Sequence, residues 1–218
     1  MRVLHTVQPR SATQIGEPPL ARFLFADTRM AWVWLIVRFY VGYEWLIAGL
    51  DKLFGRSFEI GASFGQTAQG GAWVFSGHDG VAIQGFVAGA LAKVGGAHPS
   101  VQDWYGWFLQ HLVLPNAGLF AYLVTFGEVL VGIGLIVGCL TGIAAFFGLF
   151  MNLNYLLAGT VSTNPILGVL ALALVLAWRI AGYYGVDRYL LPILGTPWTG
   201  SLAEKKPEAT PVLPQHGS

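Results

Sequence analysis

The sequence predicts an all-α integral membrane protein: a four-transmembrane-helix bundle with a long, partly helical, interfacial connection between its first and second helices. Three observations carry this. The 218 residues are 55% apolar and only 11% charged, with positive mean hydropathy, whereas a soluble domain carries roughly 25% charged residues. The stretch from Gly127 to Gly159, GEVLVGIGLIVGCLTGIAAFFGLFMNLNYLLAG, is two apolar helices joined by almost nothing. A soluble chain of this length has too little mass to bury such a hairpin, and lipid solvates it without cover. Further apolar runs approach or reach the roughly 20 residues that cross a bilayer.

In order, residues 1–29 read as a cytoplasmic tail, mostly disordered, with a short amphipathic end from Leu20 to Phe25. The polar, proline-containing first twenty residues lack the apolar core of a secretory signal. The first span is expected at about 31–50, with Arg38 and Glu44 inside it and Asp51-Lys52 at its end. The connection that follows begins glycine-rich. It then holds two short helical patterns, about 81–94 and 101–114, the second mixing Trp104, Tyr105, Trp107, Phe108 and His111 with apolar residues, as interfacial helices do. The segment 81–94 is short and broken by Lys93 and glycines, so it reads as half-buried or re-entrant. The second span is expected at about 118–139, after Pro115, and the third at about 141–158. The fourth, about 165–184, follows Ser162-Thr163-Asn164-Pro165, where a polar cap and a proline at the first helical position signal a helix start. Residues 196–218 read as a disordered cytoplasmic tail.

Four spans put both termini on one side. Arg2, Arg10, Arg22 and Arg29 precede the first span, and Arg188, Lys205 and Lys206 follow the last. The long connection carries only Lys52, Arg56 and Lys93. The excess of basic residues flanking the ends places both termini in the cytoplasm of a cell-membrane, multi-pass protein.

An ionisable group at mid-span costs roughly 2.5–3.5 kcal/mol on insertion scales, so each one requires an explanation. Arg38, Glu44, Glu128 and Arg179 qualify. Counting about 1.5 Å per residue from the inner boundary puts Arg38 near 12 Å and Glu128 and Asn152 near 16 Å. Arg179, at about 5 Å, lies close enough to the inner end to snorkel to water. The count predicts one polar layer, Arg38–Glu128–Asn152, across three spans. Such a layer is either a buried ion pair that fixes helix register or part of a substrate or proton path. Glu44 is a carboxyl kept neutral by burial, one bonded to a tyrosine, or a proton-exchanging group. Gly42 and Gly49 share the Arg38 stripe and allow a close helix contact there.

Other chemistry is disfavoured. The net charge of +1 gives no basis for nucleic-acid binding. Cys139 is the single cysteine, which excludes an internal disulfide or CxxC centre and an iron–sulfur cluster held by this chain. His5, His78, His98, His111 and His216 fall outside the spans, so no haem or metal site is expected.

RFYVGYEWLIAGLDKL, GEVLVGIGLIVGCLTGIAAFFGLF and STNPILGVLALALVLAWRIAGYYGVDRYL resemble motifs of the DoxX/DoxD family of small four-helix membrane proteins, the last in its DoxD-like branch, over roughly residues 30–195. The resemblance implies a membrane subunit of thiosulfate:quinone oxidoreductase type, which works with a second subunit and uses quinone as co-substrate. It carries over Arg38, Gly42, Gly49, Lys52, Glu128 and Asp187-Arg188. On this reading Glu128, Arg38 and Glu44 are catalytic, and Lys52, Asn152 and Arg179 bind substrate. Partners are the bilayer, a second oxidoreductase subunit or sulfurtransferase, and a second copy of the chain. The alternatives are a non-enzymatic membrane scaffold and a small-solute transporter.

Overall fold

The computed structural model describes residues 18–195 except 62 and 69. Within them the chain is helical and forms no strand, only isolated bridges at Arg56–Thr67 and Val94–Val101. The expected tails at 1–17 and 196–218 lie outside the described residues.

Helix α1 (Pro19–Ala26) and a 3₁₀ turn (Thr28–Met30) lead into α2 (Ala31–Phe54). The second helix runs about a turn beyond the expected end near residue 50, with Asp51 and Lys52 in its last turn. Gly55 closes it in the left-handed region (φ +66°), its N–H bonded to the Asp51 carbonyl at 2.8 Å. Glycine has no Cβ to clash in that conformation, which is why this cap falls on it.

The connection folds onto the bundle. Helix α3 (Val81–Leu91) buries Ile83, Val87 and Ala90. Helix α4 (Asp103–Phe108) does not stand apart from the second span. It passes through a π turn (Leu109–Val113) and a 3₁₀ turn (Leu114–Asn116) straight into α5 (Ala117–Val137). One helical run of 35 residues therefore replaces the interfacial segment and separate span expected around Pro115. Proline has no N–H to donate and its ring crowds the carbonyl four residues back. Widening the preceding turn accommodates it without ending the helix.

Helix α6 (Thr141–Leu157) returns, and α7 (Asn164–Leu176) follows. The expected continuous fourth helix to residue 184 is broken at Ala177. A short α8 (Trp178–Ala181) sets Trp178 against Gly142, and a turn leads to α9 (Asp187–Ile193).

Two helical stretches, Thr28–Phe54 and Asp103–Val137, are long and apolar enough to cross a membrane, and α3, α6 and α7 are shorter apolar helices. Only a third of the most apolar window of each long helix is buried. Its outer face carries large apolar side chains such as Ile36, Leu123, Leu130 and Ile133, so this surface calls for lipid rather than water.

Lipid tails match apolar side chains, so helices in a bilayer associate through close packing and polar contacts. The α2–α5 pair follows that rule. A Cβ on Gly132 would meet the Leu46 backbone nitrogen at 2.5 Å, and one on Gly49 would meet that of Val129 at 2.7 Å. Gly42 lies against Leu135 and Ile136. These contacts fix an antiparallel register in which residue 42 faces 136 and residue 49 faces 129. The bundle core is built on Val41, Trp45, Val131, Leu135, Ala145 and Leu174. A second core, with Val74, Val87, Val101, Tyr105, Leu109 and Ala121, joins the connection to the start of α5.

Candidate functional site

The register decides which polar groups meet. It brings Lys52 of α2, not Arg38, to Glu128 of α5. The ammonium donates to Glu128 Oε2 at 2.6 Å, and Tyr155 of α6 donates its hydroxyl to Oε1 at 2.7 Å. Glu128 is 1% exposed. Both carboxylate oxygens thus have a partner, as a buried charge requires. Lys52 also donates to the Ala48 carbonyl at 3.2 Å and lies 5.0 Å from the centre of the Trp73 ring. The Trp73 backbone N–H bonds the Lys52 carbonyl at 2.8 Å, which ties this loop residue to the end of α2.

The triad opens on a cavity of about 330 Å³. Trp45, Trp73 and Phe86 provide aromatic wall, and Tyr155 packs against both Trp45 (6.3 Å between ring centres) and Phe86 (6.1 Å). Glu44 and Ala48 of α2 contribute from one side. Thr160, Ser162 and Thr163 from the α6–α7 connection, with Asn164 at the start of α7, form a polar lip. Asn152 stands behind that lip, fully buried, donating to Asn164 Oδ1 at 3.3 Å while its own Oδ1 has no partner. A carboxylate held between an ammonium and a phenol, beside an aromatic cavity, can pass a proton to or from a bound molecule.

Arg38 lies elsewhere. It is 14 residues before Lys52 on the same helix, about 21 Å away along the axis. Its Nη2 donates to the Tyr184 carbonyl at 3.1 Å, and Nε and Nη1 have no hydrogen-bond partner. Gly138 and Gly185 crowd the guanidinium so closely that a Cβ on either would collide with it. Asp187 is the carboxylate that acts on it through space. That carboxylate also accepts from the Leu140 N–H at 2.5 Å and the Thr141 N–H at 2.8 Å, capping α6 from the far end of the chain. Leu140 is held at φ +49° by this clamp.

The expected Arg38–Glu128–Asn152 layer is therefore corrected. The span ends were set by where apolar runs begin and stop, whereas packing on Gly42, Gly49 and Gly132 slides Arg38 level with Gly138. Arg179 is also outside the cavity. It is exposed on α8, 5.9 Å from the Trp178 ring centre. The structure brings Glu128, Lys52 and Glu44 together and leaves Arg38 and Arg179 at the opposite end. Tyr155, Trp45 and Trp73 are not among the expected site residues, although Trp45 shares the α2 stripe of Lys52. Tyr155 shares the α6 stripe of Asn152, a signal that was available. Trp73 sits in an irregular loop, where sequence periodicity carries no information.

Outside the helices, Asp79 accepts from the Tyr122 hydroxyl at 2.6 Å and from the Ser76 N–H at 3.0 Å. The Tyr122 bond first, then the Ser76 one, holds its carboxyl below the ordinary value of 3.8. Among the described residues, no three His, Cys, Asp or Glu side chains gather as metal ligands do.

The fold and site define an all-helical membrane protein with a polar triad buried beside an aromatic cavity. Residues 81–161 match the DoxX family model, from α3 to the α6–α7 connection, so Glu128 and Tyr155 lie inside the match and Lys52 outside it. No curated protein and no solved structure matches the chain.

Proposed function

We propose that the chain is the membrane subunit of a quinone-linked oxidoreductase acting on thiosulfate or a related sulfur species, and that it needs a partner chain. The observation that carries this is the Lys52–Glu128–Tyr155 triad beside an open cavity, since burying such a carboxylate is costly and functional sites are where that cost recurs. In the reaction, two thiosulfates join through a new S–S bond to give tetrathionate and release two electrons. A quinone takes those electrons with two protons to become the quinol. Glu128, relayed through Tyr155, hands protons to the cavity, and Lys52 holds the developing negative charge of the reduced ring. The resemblance of the closing stretch around Asp187 to the DoxD-like branch supports the sulfur substrate.

In this reading α2, α5, α6 and α7 are the four spans, both termini are cytoplasmic, and the cavity lies toward the outer face of the cell membrane. The test is quinone reduction by purified protein in liposomes, with thiosulfate and candidate partner subunits. Thiosulfate-dependent reduction that Glu128→Gln abolishes without loss of folded protein supports the proposal. No such reduction with any partner removes it. A second reading, a non-catalytic scaffold for redox or sulfurtransferase enzymes, draws on the Asp187 clamp, which is a purely architectural use of buried charge.

A further inference from the structure

Resting on the quinone-linked reading, we infer that the Lys52 cavity receives the uncharged, planar co-substrate and that the sulfur anion is bound elsewhere, off this cavity. Charge decides it. Among the described residues, Lys52 is the single cation in the lining, and its charge is engaged 2.6 Å from Glu128. Glu44 adds a second carboxylate at the rim, so an entering anion meets one cation already paired and two carboxylates. Lys93 bonds the Gly159 carbonyl at 2.8 Å, one residue outside the lip, and is not part of the lining. Behind the triad, Asp51 adds another negative charge that acts on Glu128. Arg38, the cation that an anion site would want, is about 21 Å away along α2.

The lining suits the other substrate. An ammonium has three N–H donors. Lys52 uses two, on Glu128 and Ala48, which leaves one for a ligand carbonyl. Its side chain is 18% exposed and lines the cavity. Trp73, Trp45 and Phe86 give the lining an aromatic character, and the volume of about 330 Å³ is at the small end for ligand pockets, enough for one substituted ring. A ring carbonyl accepting from Lys52, with its face against Trp73, satisfies the hydrogen-bond and apolar groups together. A tetrahedral dianion satisfies neither.

The experiment is binding, not turnover: tryptophan fluorescence of the full chain in detergent, titrated with decylubiquinone, with thiosulfate, and with decylubiquinone at high thiosulfate. Wild type is expected to quench saturably with the quinone and to ignore thiosulfate. Trp73→Leu, which leaves the ion pair intact, is expected to weaken quinone binding roughly tenfold through the lost ring contact. Competition by thiosulfate, saturable thiosulfate binding, or a quinone affinity unchanged in Trp73→Leu would overturn the inference. The two claims separate cleanly. Saturable, Trp73-dependent quinone binding without thiosulfate-dependent turnover removes the proposed reaction and leaves this assignment standing. Turnover that Trp73→Leu does not touch does the reverse.

Discussion

Replacing Lys52 by Met removes the charge opposite Glu128 and keeps the length of the side chain. At 2.6 Å and an effective dielectric constant near 20, the gross attraction lost is about 6 kcal/mol. Part of it is offset, because a methionine needs no hydration and Lys52 has shed most of its own. Glu128 is left 1% exposed with only the Tyr155 hydroxyl, and removing one partner of a buried pair costs about 3–5 kcal/mol. The expected loss is therefore about 4 kcal/mol, read as lowered resistance to unfolding in detergent by circular dichroism at increasing denaturant. The double variant Lys52→Met/Glu128→Gln carries no unpaired charge. It is expected to recover at least half of that loss, because replacing a whole buried pair is often near neutral. A single-variant loss below about 1 kcal/mol, or a double variant whose loss is the sum of the two singles, would refute the claim that these groups act as a desolvated pair.

The other predictions use the same unfolding assay or its acid limb. Gly132→Ala should lower stability by at least about 2 kcal/mol, because its methyl meets the Leu46 backbone. Gly89→Ala, where nothing lies within 4 Å, should be neutral or stabilise by up to about 1 kcal/mol. Asp187→Ala uncaps Leu140 and Thr141 and strips Arg38 of its counter-charge, with an expected loss of about 2 kcal/mol or more. A loss within about 0.5 kcal/mol would show that the clamp is idle. Asp79 has its carboxyl held below 3.8 in the fold. Its contribution is complete above that value and fades as pH falls through the lower folded one. Asp79→Asn should flatten the acid limb of a fluorescence-monitored pH titration below about pH 4, and an unchanged limb would dismiss the Tyr122 contact.

The helices were legible because lipid-facing runs are long and their breaks are chemically marked. Gly55, Gly138 and the Ser162–Pro165 start signal stand where the chain turns. Glu128 and Glu44 were visible as charges inside a span, and Lys52 came from the family resemblance. Their grouping was not visible, because apolar length fixes a span's extent only to within a turn or so, while partner choice depends on register. Three glycines on two helices set that register, and the sequence marked Gly42 and Gly49 as a contact stripe without naming its counterpart. The passage of helix through Pro115 was hidden for a related reason. Proline signals a boundary locally, and whether a widened turn absorbs it depends on what packs around residues 109–113. Trp73 had no pattern to betray it.

The Asp187 clamp bears on how the molecule is made. The carboxylate that caps α6 belongs to a residue 46 positions after the turn it closes, and the arginine beside it comes from the first long helix. As the chain emerges N-terminus first, the α5–α6 turn stays unsealed and Arg38 waits without its counter-charge until residue 187 has been made. Only when α9 arrives do beginning, middle and end lock in one knot. A chain that stops ahead of residue 187 therefore lacks both the cap on the α5–α6 turn and the counter-charge of Arg38.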